Sequence, residues 1–364
     1  MWDTELQGDE DRGYLIDGLK NCFKISDLSG SDYVNIQKVE LDNHQSAKKY
    51  STQVENELKS QIELGYYVGS DGVPTIVSPI GAIPKDNGKD VKIIHDGSRP
   101  TGEAMNDYSS LHAVKYETLE SAYSLAKPGY YLAKIDLKAA YRSVGIHPSD
   151  YCLTGIKWHF KDNDYPTYLF DTRLPFGARR GCSIFHRISQ AVKRMMAKRG
   201  FSNLVVYLDD FLIVSATWEE CAFVQQVLIN LLGSLGFFIS WHKVAGPFQR
   251  LCFLGIDIDT VECKLLLDEL KVHKLSDKLC EFRDKVRASK RQLQSLAGLL
   301  NWACQAVTGG RFFLRRVLDV IKCLKESGHK AKLDLQFKKD ILWWLTYIKV
   351  FMVWYIIVWW TIIL

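Results

Sequence analysis

The fold is decided by residues 204–215, which read LVVYLDDFLIVS. Two apolar, β-rich runs flank a bare pair of acids, Asp209 and Asp210, and this order predicts a β-hairpin with both acids at its turn. Two carboxylates held this close repel each other, and the repulsion raises a pKa unless a cation neutralises them. Mg²⁺ binds oxygen ligands, usually one or two carboxylates together with substrate phosphates, so the pair is a candidate magnesium site. The alternative is an ordinary surface turn, where Asp is common.

A third carboxylate, Asp136, ends the apolar run YYLAKID at residues 130–136, which predicts a buried strand. If this strand lies beside the hairpin, Asp136 converges with Asp209 and Asp210. Three converging carboxylates meet the requirement of a two-metal displacement at phosphorus, in which one ion activates the attacking hydroxyl and the other stabilises the leaving oxygen. A strand-end Asp can also cap a following helix, and that alternative stays open.

A loop and a helix follow at residues 172–199, TRLPFGARRGCSIFHRISQAVKRMMAKR. The glycine of the Pro-Phe-Gly loop lets the backbone approach a ligand closely. The helix is predicted from about residue 183 to 198, and basic residues on its polar sides, such as Arg187, can contact phosphates. The alternative is an amphipathic surface helix whose basic residues face solvent. Its apolar stripe consists of Ile184, Ile188, Ala191, Val192 and Met195.

The other segments predict a mixed chain of helices and strands. Ser289 is a candidate N-cap, because apolar residues follow it at helical spacing. The remaining expected elements are hairpins within 65–94, a helix at 117–126, a helix at 219–236 and a half-buried strand at 253–259.

Charge and cysteine usage narrow the class of protein. The chain carries a net charge of +5, and residues 264–340 alone carry about +9. Such a basic segment suits either a surface that meets a polyanion or a solvated helical face. The nine cysteines form no C-x-x-C pair, which argues against a disulfide framework or zinc site and indicates a reduced, intracellular setting in cytoplasm or nucleus. The acidic start MWDTELQGDEDRG is unlike a signal peptide, so secretion is not expected.

Several ordered motifs resemble those of reverse transcriptases. DLKAAY, LPFGARRGCSIF, YLDD, the Lys after LGFFISWH, and FLGIDID resemble the consecutive palm motifs, and IPK, VKIIHD and NDYSS resemble the fingers motifs. The resemblance covers about residues 64–345. DLKAAYRSVGIHPSD, FGARRGCSIFHRISQAVKRMM and LAGLLNWACQAVTGGRFFLRR look most like the tyrosine-recombinase retrotransposons of the DIRS type. The family implies an α+β right-hand polymerase, with an antiparallel sheet in fingers and palm and a helical thumb.

The resemblance also implies roles for the matching positions. Asp136, Asp209 and Asp210 would bind two Mg²⁺ ions, with Mn²⁺ as a substitute, and Lys243 would assist catalysis by protonating the departing pyrophosphate. Tyr141 would lie under the incoming sugar and exclude a 2′-hydroxyl. Lys85, Lys92, Phe176, Gly177 and Tyr207 would complete the nucleotide site, and Arg187, Phe253, Leu254 and Gly255 would contact primer or template.

The implied domains are an N-terminal polar extension at 1–63, fingers and palm at 64–259, a basic helical thumb at 260–345, and an apolar tail at 346–364. The expected partners are an RNA or DNA template with its primer, and deoxynucleoside triphosphates. RNase H activity would come from a separate or missing domain. Neither the oligomeric state nor the role of the tail is predicted, although a truncated or frame-shifted end is favoured over a membrane anchor.

Three departures from the family pattern leave alternatives open. Lys92 stands where the family usually has Arg, and Asp96 is followed by Gly97-Ser98-Arg99 where a Leu-Ser pair is usual. In the third, Arg180-Gly181-Cys182 replaces a Ser-Ala-Pro-like stretch. Lysine keeps the charge but loses bidentate geometry. The chain could therefore be a decayed, non-catalytic copy that binds nucleic acid. An RNA-dependent RNA polymerase is the enzymatic alternative, for which a smaller or polar residue is expected in place of Tyr141.

Overall fold

The computed structural model describes residues 1–85, 88–307, 309–326 and 328–348, and the backbone of 353–355. The chain divides into two compact units. The first unit consists of residues 1–116, 135–211 and 227–242, and the second of 117–134, 212–226 and 243–364.

Helices and short strands alternate along most of the chain. The helices are α1 (Trp2–Glu5), α2 (Arg12–Asn21), α3 (Gln45–Lys49), α4 (Ser51–Glu63), α5 (Leu119–Leu125), α6 (Gly181–Lys198), α7 (Trp218–Ser234), α8 (Glu269–Asp284), α9 (Lys290–Ala303), α10 (Gly310–Lys322) and α11 (Leu335–Tyr347). The strands are β1 (Val39–Glu40), β2 (Tyr67–Gly69), β3 (Ile76–Val77), β4 (Ile80–Lys85), β5 (Asp90–His95), β6 (Tyr131–Asp136), β7 (Gly155–Trp158), β8 (Thr167–Asp171), β9 (Leu204–Tyr207), β10 (Asp210–Ser215), β11 (Ala245–Phe248), β12 (Arg250–Phe253), β13 (Ile256–Asp259), β14 (Lys264–Leu267), β15 (Arg287–Ser289), β16 (Lys330–Lys332) and β17 (Val353–Tyr355).

The first unit contains a five-stranded sheet in the order β1-β3-β7-β8-β2 and the separate hairpin β4-β5. The strand pairs β1–β3 and β3–β7 are parallel, whereas β7–β8, β2–β8 and β4–β5 are antiparallel. Helix α4 packs Val54 and Leu58, four residues apart on one face, into the core of this unit. Residues 1–63, predicted as an extension, therefore pack inside the first unit, because their apolar stripe needs the sheet to cover it.

The strands around the predicted carboxylates form a four-stranded sheet in the order β11-β6-β10-β9. Strand β6 matches the strand expected at 130–136, and β9 and β10 are the two arms of the expected hairpin. The turn between them contains Leu208 at φ 54°. A left-handed residue at this point lets the chain reverse in two residues, which leaves Asp209 and Asp210 at the end of the hairpin.

The second unit holds the helices of the predicted thumb and the sheet β12-β13-β14-β17. The Ser289 side chain accepts a hydrogen bond from the Gln292 N–H, and the Gln292 side chain accepts one from the Ser289 N–H, so the predicted N-cap is confirmed as a capping box. Helix α9 buries the four residues expected from its spacing, Leu293, Leu296, Ala297 and Leu300.

The prediction of a single strand at 253–259 was wrong. Strand β12 ends at Phe253 and β13 begins at Ile256, and the two pair antiparallel. Leu254 (φ 51°) and Gly255 (φ 79°) form the two-residue turn between them. Positive φ at both central residues gives a turn whose twist matches the flanking strands. The alternation that begins at Leu254 is therefore a turn followed by a strand.

The apolar tail at 346–364 lies mostly outside the described residues. The alternative interpretations of residues 350–364 therefore concern a segment that is mostly outside the described residues. The backbone of β17 pairs antiparallel with β14. In the part of the chain that the structure describes, no helix combines the length and apolar character needed to cross a membrane.

Candidate active site

The backbone brings Asp136 beside the turn that carries the acidic pair. Asp136 ends β6 and is only 7% exposed. Immediately after it, the Leu137 N–H donates a hydrogen bond to the Asp209 carbonyl oxygen over 3.3 Å. On its other side, the Asp136 carbonyl oxygen accepts a hydrogen bond from the Ser240 N–H over 2.9 Å. The end of the strand is thus fixed on both sides, and the backbones of two of the predicted metal ligands are neighbours.

The donor chemistry of this region fits a divalent cation, but the ligands are not gathered around a point. Carboxylate oxygens are the donors that Mg²⁺ and Mn²⁺ prefer. Asp209 lies close enough to Tyr141 for its charge to contribute to raising the pKa of that hydroxyl. Among the described residues, however, no group of three or more His, Cys, Asp or Glu side chains is arranged to hold a metal ion. The three-carboxylate metal site therefore stays a prediction.

Tyr141 is held within a stack of aromatic rings. Its ring centroid lies 5.2 Å from that of Phe176 and 5.3 Å from that of Phe185, and the latter pair is nearly parallel at 16°. An added Cβ at Gly181 would lie 3.2 Å from the Tyr141 ring, so the start of α6 approaches this ring closely. The Tyr141 hydroxyl donates a hydrogen bond to Cys182 Sγ over 3.2 Å. Burial raises the pKa of Tyr141, and the bond to Cys182 raises it further, so the hydroxyl stays protonated.

The Pro-Phe-Gly loop is held by the hairpin β4-β5. The His95 N–H donates to the Phe176 carbonyl oxygen over 2.9 Å. Gly177 has φ 124°, and a Cβ there would overlap the carbonyl oxygen of His95, so the close approach requires glycine. The Asn106 side chain donates to the Gly177 carbonyl oxygen over 2.8 Å and accepts from the Arg179 N–H over 2.7 Å. The loop expected to border the nucleotide pocket is thus tied to the end of β5 and to Asn106.

The two lysines predicted for the nucleotide site, Lys85 and Lys92, lie at different places on the hairpin β4-β5. The Lys92 ammonium nitrogen lies 3.3 Å from the centroid of the Phe176 ring, a cation–π contact beside the aromatic stack. Lys85 is exposed at the end of β4, in register with Asp90. Tyr207 ends β9, and its ring lies 5.4 Å from that of Tyr116. The structure therefore joins Lys92 to Phe176 directly, while Lys85 lies at the far end of the hairpin.

A buried polar network beside this loop was missed by the sequence reasoning. His95 Nε2 lies 2.8 Å from the Tyr67 hydroxyl and 3.5 Å from Asp171 Oδ2. The Arg142 guanidinium donates to the same Asp171 oxygen over 2.5 Å. Burial lowers the pKa of His95 to about 3, with a further contribution from the charge of Arg142, so the imidazole is neutral at physiological pH. Burial also raises the pKa of Asp171, although Arg142 opposes that shift.

The signal for this network was present in the sequence. His95 and Asp171 each end an apolar β-run, VKIIH and TYLFD, as Asp136 ends its own. An ionisable residue that closes a buried strand must find a partner, since an uncompensated buried charge is costly. The partner here is Arg142, which follows Tyr141 directly and links the network to the aromatic stack.

Arg187 is engaged by the N-terminal segment. Its Nε donates to Asp11 Oδ1 over 2.9 Å, and its guanidinium carbon lies 3.6 Å from the centroid of the Tyr14 ring. Arg194, about two turns further along α6, donates hydrogen bonds to Asp9 over 2.7 and 2.8 Å. The expected contact of Arg187 with primer or template stays a prediction, and in this structure its charge is already paired.

The four remaining predicted site residues belong to the second unit. Lys243 is exposed at the end of the short 3-10 helix Trp241–Lys243. Phe253 is fully buried, whereas Leu254 and Gly255 are half-buried in the turn between β12 and β13. The Trp302 indole N–H donates to the Gly255 carbonyl oxygen over 3.2 Å and fixes the turn on α9. Of the expected primer contacts in this segment, the turn rather than Phe253 is available at the surface.

Comparisons with known proteins agree with this architecture. The family model "Reverse transcriptase (RNA-dependent DNA polymerase)" matches residues 92–258. The Gag-Pol polyprotein of Gibbon ape leukemia virus is 28% identical over 148 residues, which are 38% of this chain and 9% of that polyprotein. This chain therefore spans less than a tenth of that relative.

Two solved structures share the fold. A foamy viral protease-reverse transcriptase in complex with double-stranded DNA aligns with 96% of this chain and 60% of that chain, with a TM-score of 0.64 and 18% identity. The foamy viral enzyme in complex with an RNA/DNA hybrid aligns with 96% of this chain and 46% of that chain, with a TM-score of 0.65 and 17% identity. The predicted α+β right-hand polymerase fold is confirmed. Residues 92–258 are accordingly similar to the reverse transcriptase (RNA-dependent DNA polymerase) family.

Proposed function

We propose that this chain is an RNA-directed DNA polymerase that adds deoxynucleotides to a primer 3′ end on an RNA or DNA template and releases pyrophosphate. The observation that carries the proposal is the backbone pairing of Leu137 with Asp209, which sets Asp136 beside the acidic turn. The Tyr141 hydroxyl lies close enough to this turn for the charge of Asp209 to contribute to its raised pKa. Acidic residues next to the Tyr141 ring suit the binding of a nucleoside triphosphate whose sugar packs on that ring.

Each part of the site has a distinct task in this mechanism. Asp136, Asp209 and Asp210 would hold two Mg²⁺ ions, with Mn²⁺ as a substitute, and the bound ions supply a lower pKa for the primer hydroxyl and charge neutralisation at the phosphate. Tyr141, packed against Phe176, excludes a 2′-hydroxyl by occupying its space. Lys92 provides positive charge for the triphosphate from the fingers hairpin. Positioning and charge stabilisation are the main demands of phosphoryl transfer.

Template and primer are gripped through their phosphates. Residues 264–340 have a net charge of about +9 by themselves, and basic residues of this kind bind a nucleic acid backbone in a sequence-independent, salt-sensitive way. The motifs around Asp136 and the Pro-Phe-Gly loop support a retrotransposon of the DIRS type as the source. We place its action inside the cell, in cytoplasm or nucleus, with RNase H activity supplied by a separate domain.

A non-catalytic nucleic-acid-binding copy is the second candidate. It is favoured by the fact that no three-ligand group is assembled among the described residues, and by Lys92 in the place of an arginine. Under this alternative the fold and the phosphate contacts remain, and the chemical step is lost.

Primer extension on a poly(rA)/oligo(dT) duplex with dTTP and Mg²⁺ separates the two candidates. We expect extension by the parent chain and a loss of at least about a hundredfold in Asp209→Asn, since charge stabilisation by a bound ion is worth several kcal/mol. Asp164→Asn removes an equally charged but exposed carboxylate and should leave the rate unchanged. A folded parent that binds the duplex without extending it would establish the non-catalytic copy instead.

A further inference from the structure

Cys182 lies at the first turn of α6. The residue is exposed, yet its sulfur accepts the hydrogen bond of the half-buried Tyr141 hydroxyl over 3.2 Å. Because the pKa of Tyr141 is raised, its hydroxyl is protonated and has a hydrogen to donate. The hydroxyl is the donor of this bond and the sulfur its acceptor.

The bond acts where the ring is least restrained by packing. Phe176 and Phe185 contact the faces of Tyr141 and limit its tilt. Face contacts resist sliding of the ring within its own plane only weakly, since offset stacking is tolerant of displacement. The hydroxyl oxygen is the side-chain atom of tyrosine farthest from the Cα. A hydrogen bond to the hydroxyl therefore restrains movement of the ring better than a contact nearer the backbone would.

The same sulfur connects to the strand that leads to the acidic pair. Burial raises the pKa of Tyr116 to about 12, and the next causes are the charge of Cys182 and a hydrogen bond to it. The Tyr116 ring in turn lies 5.4 Å from that of Tyr207, two residues before Asp209. Cys182 therefore lies close enough to Tyr116 to affect the pKa of its hydroxyl as well, and the Tyr116 ring packs beside Tyr207 at the start of the hairpin turn.

We propose that Cys182 is a positioning residue that holds the Tyr141 ring in place and thereby sets the discrimination between deoxyribonucleotides and ribonucleotides. The inference rests on the proposed function, because it concerns the sugar of the incoming nucleotide. Cys182 acts through Tyr141 and does not itself contact the sugar. Its effect should consequently appear in sugar selectivity and much less in the rate with a deoxynucleotide.

A double-mutant cycle between Cys182→Ala and Tyr141→Phe tests the inference. The readout is the ratio of kcat/KM for dTTP to kcat/KM for rUTP in single-nucleotide extension. Each single variant should lower this ratio by about threefold to tenfold, the worth of one ordinary hydrogen bond. The double variant should lower it no further than either single one, because both remove the same bond. Cys182→Ser keeps an acceptor and should restore most of the ratio.

The control is Cys152→Ala, a half-buried cysteine of the same unit whose sulfur bonds the Ser149 carbonyl oxygen. It should leave the ratio unchanged. Retention of dTTP and rUTP by the protein bound to a duplex with a dideoxy-terminated primer, which needs no chemistry, measures sugar selectivity in binding independently of turnover. An unchanged ratio in Cys182→Ala, or additive losses in the double variant, overturns the positioning role while extension by the parent still supports the polymerase. A parent that neither extends the primer nor retains dTTP overturns both.

Discussion

Burial of His95 predicts that the first unit loses stability in mildly acidic solution. The side chain is 1% exposed, and its pKa is lowered to about 3, first by burial and then by the charge of Arg142. The imidazole therefore remains neutral in the folded chain, where Tyr67 and Asp171 lie nearest to its Nε2. In the unfolded chain it is free to take up a proton near its ordinary pKa of about 6.5.

The sign and size of the effect follow from proton linkage. Because the folded pKa is depressed, the stability contribution of His95 is present in full above about pH 6.5 and is lost as pH falls from there towards about 3. Between about pH 7.5 and about pH 5.5 this single group should lower the free energy of unfolding by about 1.4 kcal/mol. The raised pKa of Asp171 acts in the opposite direction, since the folded chain then binds its proton more readily.

Denaturant unfolding of the parent and of His95→Gln at both pH values isolates the histidine. Glutamine can still hydrogen-bond Tyr67 but does not titrate, and Asp171 is present in both proteins. The parent should lose about 1.4 kcal/mol more than the variant between the two pH values. His159→Gln, at an exposed histidine, should behave like the parent. An equal pH dependence in the parent and His95→Gln would refute the buried, neutral state of His95.

Two further predictions concern the loop and the helix next to this network. Gly177→Ala should raise the KM for dTTP by at least about tenfold in primer extension. The reason is that its Cβ would displace the His95 backbone and that a φ of 124° is strained for alanine. The control is Gly233→Ala, where a Cβ meets open space, and it should match the parent. Arg187→Ala should lower the free energy of unfolding by about 1 kcal/mol through its lost contacts to Asp11 and Tyr14, measured by denaturant titration. It should leave duplex affinity within about threefold, measured by filter binding, and a far larger loss of affinity would mean that Arg187 leaves its acidic partner to bind phosphate.

The parts of the fold that sequence predicts well are those specified by neighbouring residues. The strand ending at Asp136, the hairpin around Asp209 and the capping box at Ser289 are each encoded within a dozen residues, by apolar runs, turn residues and a capping side chain. Local signals of this kind act over one or two turns of chain, so they survive in the folded structure.

The parts that sequence could not predict depend on contacts between distant segments. Arg187 pairs with Asp11, which lies 176 positions earlier in the chain. The segment 1–63 was predicted as a polar extension because its apolar spacing is weak, and only the folded structure shows that Val54 and Leu58 join the core of the first unit. The spacing of residues along α6 does not predict whether an arginine side chain will pair with an acidic residue of this chain or bind a phosphate.

The two strand-end acids make the same point about chemistry. Asp136 and Asp171 each close a buried apolar strand, and the local sequence gives both the same interpretation. Asp171 is bound by Arg142, so its charge is compensated within the protein. The backbone of Asp136 lies instead beside a turn that carries two further acids. Bringing like charges together costs free energy, and a bound cation removes that cost. A metal ion is therefore expected at Asp136, whose neighbours are acids, and none is expected at Asp171, whose neighbour is Arg142.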